Sequence, residues 1–403
     1  MNTKNHDAKE VVSCEYCWNN PVNHTISWIS QTLSVCILPL ARLGSLIQFP
    51  FLNRIVATIM VPYIYFFRAL GLIHFSQDIT KVCSERSQVI WEEANRRGIA
   101  MEQFILYDKP IEQYRAYIHG AWHYFGSLPI PPWKNTRAYV WIDDKAQLKK
   151  KFLKAHIPVP QGGHAWTLGQ ARALFEKLEK PVITKPELGS RGRHTTTQIY
   201  SIKDLEAGFR IAQQLCHFVM IEECLVGSVY RGTYVNGEVV GVNQGIPPRV
   251  TGDGASTIAE LIAKKNQERE SGVAEYVLHD MGMRFLARQS YTPDTVLPEG
   301  KQVDLLEKIG MSFGGDSVEE FPRTHPKILA YLKKAGDVLN VPIVGFDFII
   351  EDITKDPDLQ KWGIIEANAV PFINLHHFQR VGTPINVAAH VWDMWNEKTS
   401  SVS

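Results

Sequence analysis

Three separate parts of the chain carry residue types that could bind phosphate groups and a metal ion. The first is PVITKPELGSRGRHTTT at residues 181–197, where Lys185 ends an apolar strand and a glycine-rich basic loop follows. Backbone N–H groups, arginines and hydroxyls in such a loop can fold over phosphates. A solvated hairpin turn would use the same residues, so this stretch alone leaves both interpretations open.

The second part combines two carboxylates and an amide near the end of the chain. Asp347 interrupts the apolar run VGFDFII, and Glu366 and Asn368 lie two positions apart in GIIEANAVP, which puts them on one face of a strand. A carboxylate in an apolar strand is costly unless it is paired or bound to a metal. Hard oxygen ligands of this kind suit magnesium, and the alternative is an ion pair that faces solvent.

The third part is FVMIEECLVG, where an apolar strand runs into Glu222 and Glu223. Either acid could accept a hydrogen bond from an adenine amino group while the adjacent backbone reads the edge of the ring. An exposed acidic turn explains the same residues.

The elements that must position these residues alternate between strands and helices from Val140 onward. DDKAQLKKKFLKAHIPVPQG predicts a capped amphipathic helix with a Pro-rich exit, and YVNGEVV predicts a hairpin with an Asn-Gly turn. A helix followed by short alternating runs predicts a small α/β unit before this region. The body is therefore expected to be α+β with antiparallel sheets.

The composition restricts the partners. Lys and Arg number 43 against 42 Asp and Glu, a formal charge of +1, so no general field attracts nucleic acid and we expect no such partner. Cys14 and Cys17 form the only close cysteine pair, with no second pair at zinc-ligand spacing. We expect ordinary reduced cysteines there, with a metal or redox role as the alternative, and a cytoplasmic location.

Residues 26–75 are unusually apolar, but no uncharged run reaches the roughly 18 to 20 residues of a confident spanning helix. Acidic and polar residues precede this segment, which argues against a cleavable signal. Two interpretations compete, with a true span as a third. One is contact with a membrane surface, peripheral on the cytoplasmic face, and the other is a helical hairpin buried against the protein or a partner.

In this order and spacing, the motifs resemble the ATP-grasp superfamily from about Ala138 to Trp395. Within it, the chain resembles the ATP-grasp modules of cyanophycin synthetase and of bifunctional glutamate–cysteine ligase/glutathione synthetase, and more distantly D-alanine–D-alanine ligase. Besides KPELGSRGRH and GFDFI, the run GDGASTIAELIAKKN is what points to this branch. The resemblance implies an ATP-grasp fold of two α+β lobes that clasp ATP.

The resemblance also implies roles for individual residues. Lys145 and Lys185 match lysines that contact the nucleotide phosphates, and Glu222 matches the acid that faces the adenine amino group. The backbone of Glu223 and Leu225 would read the ring. The flexible phosphate lid would consist of Gly189, Ser190, Arg191, Gly192, Arg193 and His194. Two magnesium ions, for which Mn²⁺ could substitute, would be bound by Asp347, Glu366 and Asn368.

Two positions depart from the pattern. Relatives carry an acid that holds the ribose hydroxyls where this chain has Val229, although the following Arg231 is retained. They also tend to carry an arginine where this chain has Gly245. Arg249, four residues later, is the expected substitute for steadying the acylphosphate or the substrate carboxylate, so Arg231 and Arg249 are the predicted catalytic residues.

The resulting hypothesis is an ATP- and magnesium-dependent carboxylate–amine ligase that forms an amide or peptide bond through an acylphosphate. Its substrates would be a small carboxylate and an amine, such as an amino acid or small peptide, or the acceptor would be a polypeptide or lipid-linked molecule. A homo-oligomer is expected. The alternative is a catalytically degenerate nucleotide-binding scaffold tethered through residues 26–75.

The predicted units are an apolar helical extension (1–77), a small α/β region (78–137), two lobes (138–225 and 226–397, the second with a helical insert) and a flexible tail (398–403).

Overall fold

The computed structural model describes residues 14, 16–17, 22–46, 65–189, 192–269, 273–379 and 382–396. The predicted lid residues Ser190 and Arg191 lie outside these ranges, as do residues 47–64 of the apolar extension and the predicted tail.

The helices are α1 His24–Leu46, α2 Glu85–Arg96, α3 Lys145–Lys154, α4 Leu168–Lys177, α5 Ile202–Gln213, α6 Ile258–Gln267, α7 Asp280–Arg288, α8 Pro326–Leu339, α9 Asn374–His377 and α10 Val387–Asp393. The strands are β1 Ile73–Ser76, β2 Met101–Leu106, β3 Lys109–Ile118, β4 Ala121–Phe125, β5 Gly162–Ala165, β6 Val182–Pro186, β7 Thr196–Ile199, β8 Val219–Glu223, β9 Ser228–Val235, β10 Glu238–Ile246, β11 Arg249–Thr251, β12 Gln302–Asp304, β13 Asp316–Glu319, β14 Ile343–Ile350 and β15 Gly363–Asn368.

The largest sheet has five antiparallel strands in the order β13-β10-β9-β14-β15. Helices α3 and α8 contribute to its core. The predicted helix α3 is confirmed: Asp144 caps it by accepting from the Gln147 N–H, and it buries Leu148 and Phe152 in that core. Because residues one helical turn apart share a face, Lys145 and Lys149 occupy the neighbouring face of α3.

A second sheet has four antiparallel strands in the order β5-β8-β6-β7. Helices α4 and α5 contribute Phe175 and Phe209 to its core. Helix α5 approaches the sheet closely at Gly208, where a Cβ atom would lie 2.6 Å from the Thr184 hydroxyl oxygen. This sheet carries Lys185 on β6 and Glu222 on β8, and the five-stranded sheet carries the predicted metal ligands.

The region before the two lobes forms a third antiparallel sheet in the order β1-β2-β3-β4. Strand β1 begins at Ile73, inside the segment that the sequence assigned to the extension. Helix α2 shares a core with the carboxyl-terminal helix α10, and the Trp392 indole donates to the Ile90 carbonyl at 2.9 Å. Helix α10 therefore packs against the region that precedes the two lobes. A smaller core is formed by α6, α7 and the β11–β12 ribbon.

Helix α1 lies against the second sheet through one of its faces. The Thr32 hydroxyl accepts from the His217 N–H at 3.0 Å, and the Trp28 ring lies 6.3 Å from the His217 ring, centroid to centroid. Along the helix, Ile26, Ile29, Leu33 and Ile37 are exposed. Within the described part of the chain, no helix combines the length and the apolar character needed to cross a membrane.

Candidate functional site

The first group of site residues surrounds a buried carboxylate. Glu222 is 3% exposed. Its Oε2 atom lies 2.8 Å from Lys185 Nζ, and its Oε1 atom lies 2.5 Å from Lys149 Nζ. The register of β6 and β8 places Lys185 opposite Met220, so Lys185 and Glu222 are diagonal neighbours on one face of the sheet. Lys149 reaches the same carboxylate from α3.

The charges in this group are strongly coupled. Burial acts to raise the pKa of Glu222, but Lys185 and Lys149 outweigh burial and hold that pKa below its usual value. Burial lowers the pKa of Lys149, and Glu222 only partly offsets this effect. The ammonium nitrogen of Lys149 is buried, and the Glu222 carboxylate at 2.5 Å is its ion-pair partner. An anionic ligand would bind Lys149 by competing with that carboxylate.

Lys145 connects this group to the predicted metal ligands. Its Nζ atom donates to the Gly189 carbonyl at 2.8 Å and lies 3.9 Å from Glu366 Oε2. The lysine is 7% exposed, so its charge acts in a largely desolvated environment. Of the two predicted phosphate contacts, Lys145 thus lies on α3 and Lys185 lies on β6 of the second sheet.

The second group forms a row across the large sheet. In the strand register, Arg231 on β9 lies opposite Asp347 on β14, which lies opposite Glu366 on β15. Arg231 holds Asp347 with two hydrogen bonds, from Nε to Oδ1 at 2.6 Å and from Nη2 to Oδ2 at 2.7 Å. Asn368 donates to Asp347 Oδ2 at 3.4 Å. Burial raises the pKa of Glu366 against the effect of Lys145, and the Asp347 carboxylate raises it further.

These oxygen donors fit a magnesium ion. Asp347, Glu366 and Asn368 supply two carboxylates and one amide on adjacent strands, which is a hard-oxygen set. Both oxygens of Asp347 already accept from Arg231, but each carboxylate oxygen has a second lone pair. Arg231 can therefore orient Asp347 without preventing it from binding a metal.

Glu223, the last residue of β8, and Leu225 follow Glu222 in the chain. The Glu223 carboxylate accepts from the Gln161 N–H at 2.8 Å and pairs with Lys361 at 2.7 Å. The Glu223 N–H donates to the Gln161 carbonyl. Leu225 is buried. The side chain of Glu223 is thus fixed by the residue that precedes β5, and the nucleotide-facing role of the Glu223 backbone stays a prediction.

The structure separates the two ends of the predicted phosphate lid. Gly189 and Gly192 are exposed, and both have positive φ angles that glycine adopts readily. His194 is instead fully buried, and its Nδ1 atom lies 2.8 Å from the Ile211 carbonyl oxygen. Arg193 lies between them and is half-buried. The buried imidazole is thus directed into the protein, whereas the two glycines face solvent.

Arg249, one of the two predicted catalytic arginines, lies on the β11–β12 ribbon. Its Nε atom donates to Asp304 Oδ1 at 2.6 Å, and Nη1 donates to Gln302 at 3.3 Å. Arg231 is bound to a predicted metal ligand, whereas Arg249 is bound to the neighbouring strand of its own ribbon. The catalytic role of Arg249 stays a prediction.

Lys149 is the site residue that the sequence analysis missed. It lies four positions after Lys145 on a predicted helix, so helical periodicity places the two ammonium groups on one face. That spacing was a usable signal. The run KKK at residues 149–151 concealed it, because consecutive lysines are typical of a solvated surface.

Comparisons with known proteins agree with this architecture. No protein-family model matches the chain. The chain is 32% identical over 267 residues to the cyanophycin synthetase of Synechocystis sp., covering 62% of this chain and 30% of that protein. It is 29% identical over 265 residues to the glutathione biosynthesis bifunctional protein GshAB of Mannheimia succiniciproducens, covering 63% and 35%.

A solved structure extends the similarity to the fold. The crystal structure of a bifunctional glutathione synthetase from Pasteurella multocida matches with a TM-score of 0.58 and 25% identity, over 77% of this chain and 43% of that one. The predicted resemblance to ATP-grasp ligases is confirmed, and the α+β body has the ATP-grasp fold. The chain spans about a third of the length of the two curated relatives.

The coupling between Lys149 and Glu222 can be measured through the free energy of unfolding. We expect Lys149→Met and Glu222→Gln each to destabilise the protein, and the double variant to be more stable than the sum of the two effects by about 1–3 kcal/mol. Urea unfolding at pH 7 provides the values. The exposed pair Lys327 and Asp356 is the matched control, with an expected coupling below about 1 kcal/mol.

The same coupling has a defined pH dependence. Because the folded-state pKa of Glu222 is depressed, its stabilising contribution is present above the unfolded-state pKa and is lost as the pH falls through the folded-state value. The stability difference between wild type and Glu222→Gln should therefore stay nearly constant from pH 7 to about pH 5 and shrink as the pH falls below the unfolded-state pKa of about 4.3. Strictly additive variants, or a difference that grows on acidification, would contradict the proposed ion-pair arrangement.

Proposed function

We propose that the chain is an ATP- and magnesium-dependent carboxylate–amine ligase that forms an amide or peptide bond through an acylphosphate. The observation that carries this proposal is the position of Lys145, which contacts Gly189 of the proposed phosphate loop and Glu366 of the proposed metal site. It lies one helical turn before Lys149, which pairs with Glu222. The names of the relatives support the class of reaction, because they are synthetases and a biosynthetic bifunctional protein.

In this proposal the lysines provide the binding charge for the nucleotide. ATP carries about four negative charges, and its phosphates would compete with Glu222 for Lys149 and Lys185. Glu222, once displaced, would be available to accept from the adenine amino group. The backbone of Glu223, at the end of β8, and of Leu225 would lie along the ring. Nucleotide binding would thereby break the ion pairs of Glu222 with the two lysines. The lysines would then contact the phosphates, and Glu222 would contact the adenine.

Magnesium would be held by Asp347, Glu366 and Asn368 and would neutralise part of the phosphate charge. Two ions are expected by resemblance, and Mn²⁺ could substitute. Arg231 fixes the rotamer of Asp347 through its paired hydrogen bonds, so the carboxylate enters the reaction already oriented. No side-chain nucleophile is required, because the substrate carboxylate attacks the terminal phosphate and the amine then displaces phosphate. An amino acid or small peptide is the proposed substrate.

The two departures from the family pattern occur at one place in the sheet. Val229 on β9 and Gly245 on β10 are directly opposed in the strand register. The expected acid and the expected arginine are therefore both absent from facing positions, so no unpaired charge is left behind. The Ile309 side chain occupies the neighbouring space, since a Cβ atom on Gly245 would lie 2.5 Å from its Cδ1 atom.

This local arrangement supports an altered ribose contact more than a decayed enzyme. A scaffold without catalysis would have no reason to retain the complete set of lysines and metal donors, whereas a paired replacement changes one contact and preserves the remainder. We therefore favour the ligase over the nucleotide-binding scaffold.

Asp347→Asn tests the proposed reaction. Wild-type protein incubated with Mg-ATP and a library of amino acids and dipeptides should release ADP and phosphate in equal amounts with a product whose mass equals the two substrates minus water. Loss of the Asp347 charge should lower turnover at least about 100-fold, because metal binding and the orientation by Arg231 both depend on it. ADP release and product mass are read by chromatography and mass spectrometry.

Asp356→Asn is the matched control, since it removes the same charge from an exposed ion pair with Lys327, and it should retain wild-type turnover. An Asp347→Asn variant that folds and remains fully active would refute the metal assignment. Wild type that releases no ADP with any substrate, and whose melting temperature does not respond to Mg-ATP, would refute the ligase.

We also propose that the exposed apolar stripe of α1 contacts a membrane surface. Ile26, Ile29, Leu33 and Ile37 are 66%, 47%, 52% and 52% exposed and recur at helical spacing. Flotation with vesicles of phosphatidylcholine and phosphatidylglycerol tests this contact. The full chain should float with the vesicles, and a variant with serine at positions 26, 29 and 33 should not. Wild-type protein that stays at the bottom of the gradient would exclude the contact.

A further inference from the structure

Four metal-ligating side chains converge outside the proposed nucleotide site. Cys14, Cys17, His24 and His194 each offer one ligand atom, and these four atoms lie within 4.8 Å of one another. Cys17 and His194 are buried, and Cys14 and His24 are half-buried. None of these residues has a part in the proposed reaction other than His194, which the sequence placed in the phosphate lid.

The distances in this cluster match those of a tetrahedral metal site. The His194 Nε2 atom lies 3.3 Å from Cys17 Sγ and 3.5 Å from Cys14 Sγ, and the His24 Nε2 atom lies 3.3 Å from Cys17 Sγ. Zinc bonds of about 2.3 Å to sulfur and about 2.0–2.1 Å to nitrogen place tetrahedral neighbours about 3.5 Å apart. An ion at the centre would therefore require only small adjustments of the side chains.

We propose that Cys14, Cys17, His24 and His194 bind a structural zinc ion. Two thiolates and two imidazoles form a set that favours zinc among the common divalent ions. The two thiolates balance the charge of the ion. Because four protein ligands complete the coordination, the site leaves no open position for a substrate and is structural.

The surroundings of His194 orient it as a ligand. Its Nδ1 atom lies 2.8 Å from the Ile211 carbonyl oxygen, and a carbonyl can only accept, so the proton belongs on Nδ1 and the Nε2 lone pair faces the two sulfurs. This is the outer hydrogen bond that metal-bound histidines characteristically make. The backbone N–H of His194 donates to the backbone carbonyl of Tyr16 at 3.2 Å.

The two cysteines are arranged by a tight turn. The Cys17 N–H donates to the Cys14 carbonyl at 3.0 Å, and His24 is the first residue of α1. The rival chemistry is a disulfide between Cys14 and Cys17. Both are free thiols in the structure, and a disulfide would give no reason for two histidines to converge on the same sulfurs.

The zinc site would couple the amino-terminal segment to the proposed phosphate-binding loop. Lys185 is fixed at the start of that loop by Glu222, and His194 would be fixed at its end by the ion. Helix α1 would be held beside it, where the Gln31 side chain lies 3.5 Å from the position of a Cβ atom on Gly189. The ion would therefore fix the end of the loop at His194 relative to helix α1.

Metal analysis of the full chain tests this proposal without reference to catalysis. Protein purified in reducing buffer without chelator, and protein reconstituted with zinc after chelation, should each contain one zinc per chain by plasma mass spectrometry. Cys17→Ser and His194→Gln should lower the zinc affinity by more than the roughly 10- to 100-fold that the loss of an outer hydrogen bond causes. Cobalt-reconstituted wild type should show the strong visible absorption of a tetrahedral thiolate site.

Two control variants keep the test decisive. Cys36→Ser removes an exposed cysteine of α1 and should retain one zinc. His24→Cys creates a Cys₃His set, which also binds zinc, and should retain the ion even if the serine and glutamine variants fold poorly. Wild type that binds no zinc on reconstitution would overturn the proposal. A Cys17→Ser variant with unchanged zinc content, or a Cys14–Cys17 disulfide in protein isolated with blocked thiols, would overturn it as well.

Discussion

The buried carboxylate of Glu222, held by Lys149 and Lys185, is the interaction on which the site depends. A buried charge is tolerated only when it is paired. If one of the elements that carry these three charges moved away, a buried charge would be left without its partner. The pairing joins β6 and β8 of one sheet to α3, and α3 packs on the other sheet through Leu148 and Phe152. Loss of the pairing would therefore disturb both lobes.

Helix α3 also brings a second lysine close to the proposed metal ligands. Lys145 extends from α3 toward the row formed by Arg231, Asp347 and Glu366, so cationic and anionic groups alternate among these side chains. Such an arrangement can accept a polyanion with its metal at little electrostatic cost, because the ligand replaces contacts that the protein already makes to itself. The ATP-grasp fold thus supplies a preorganised set of charges, and substrate identity depends on the loops around it.

The sequence predicted the features that follow from local pattern. Its apolar pattern predicted the strand that carries Asp347, and its cap and periodicity predicted helix α3. The alternation of strands and helices predicted the α+β body. It did not predict contacts that long-range topology creates. His194 lies 177 residues from Cys17, and no spacing rule joins a loop of the second sheet to a cysteine turn. The opposed positions of Val229 and Gly245 likewise emerged only from the strand register. Lys149 was available from helical spacing, but neighbouring lysines concealed it.

Calorimetric binding of Mg-AMP-PNP shows directly whether the lysines that enclose Glu222 bind a nucleotide. We expect wild type to bind it and Lys149→Met to bind about 10- to 100-fold more weakly, because a charge-assisted hydrogen bond contributes about 1.5–3 kcal/mol. Lys150→Met, at the adjacent exposed position of the same helix, should bind as wild type does. Equal affinities for wild type and a folded Lys149→Met variant, or no binding by wild type, would contradict the account.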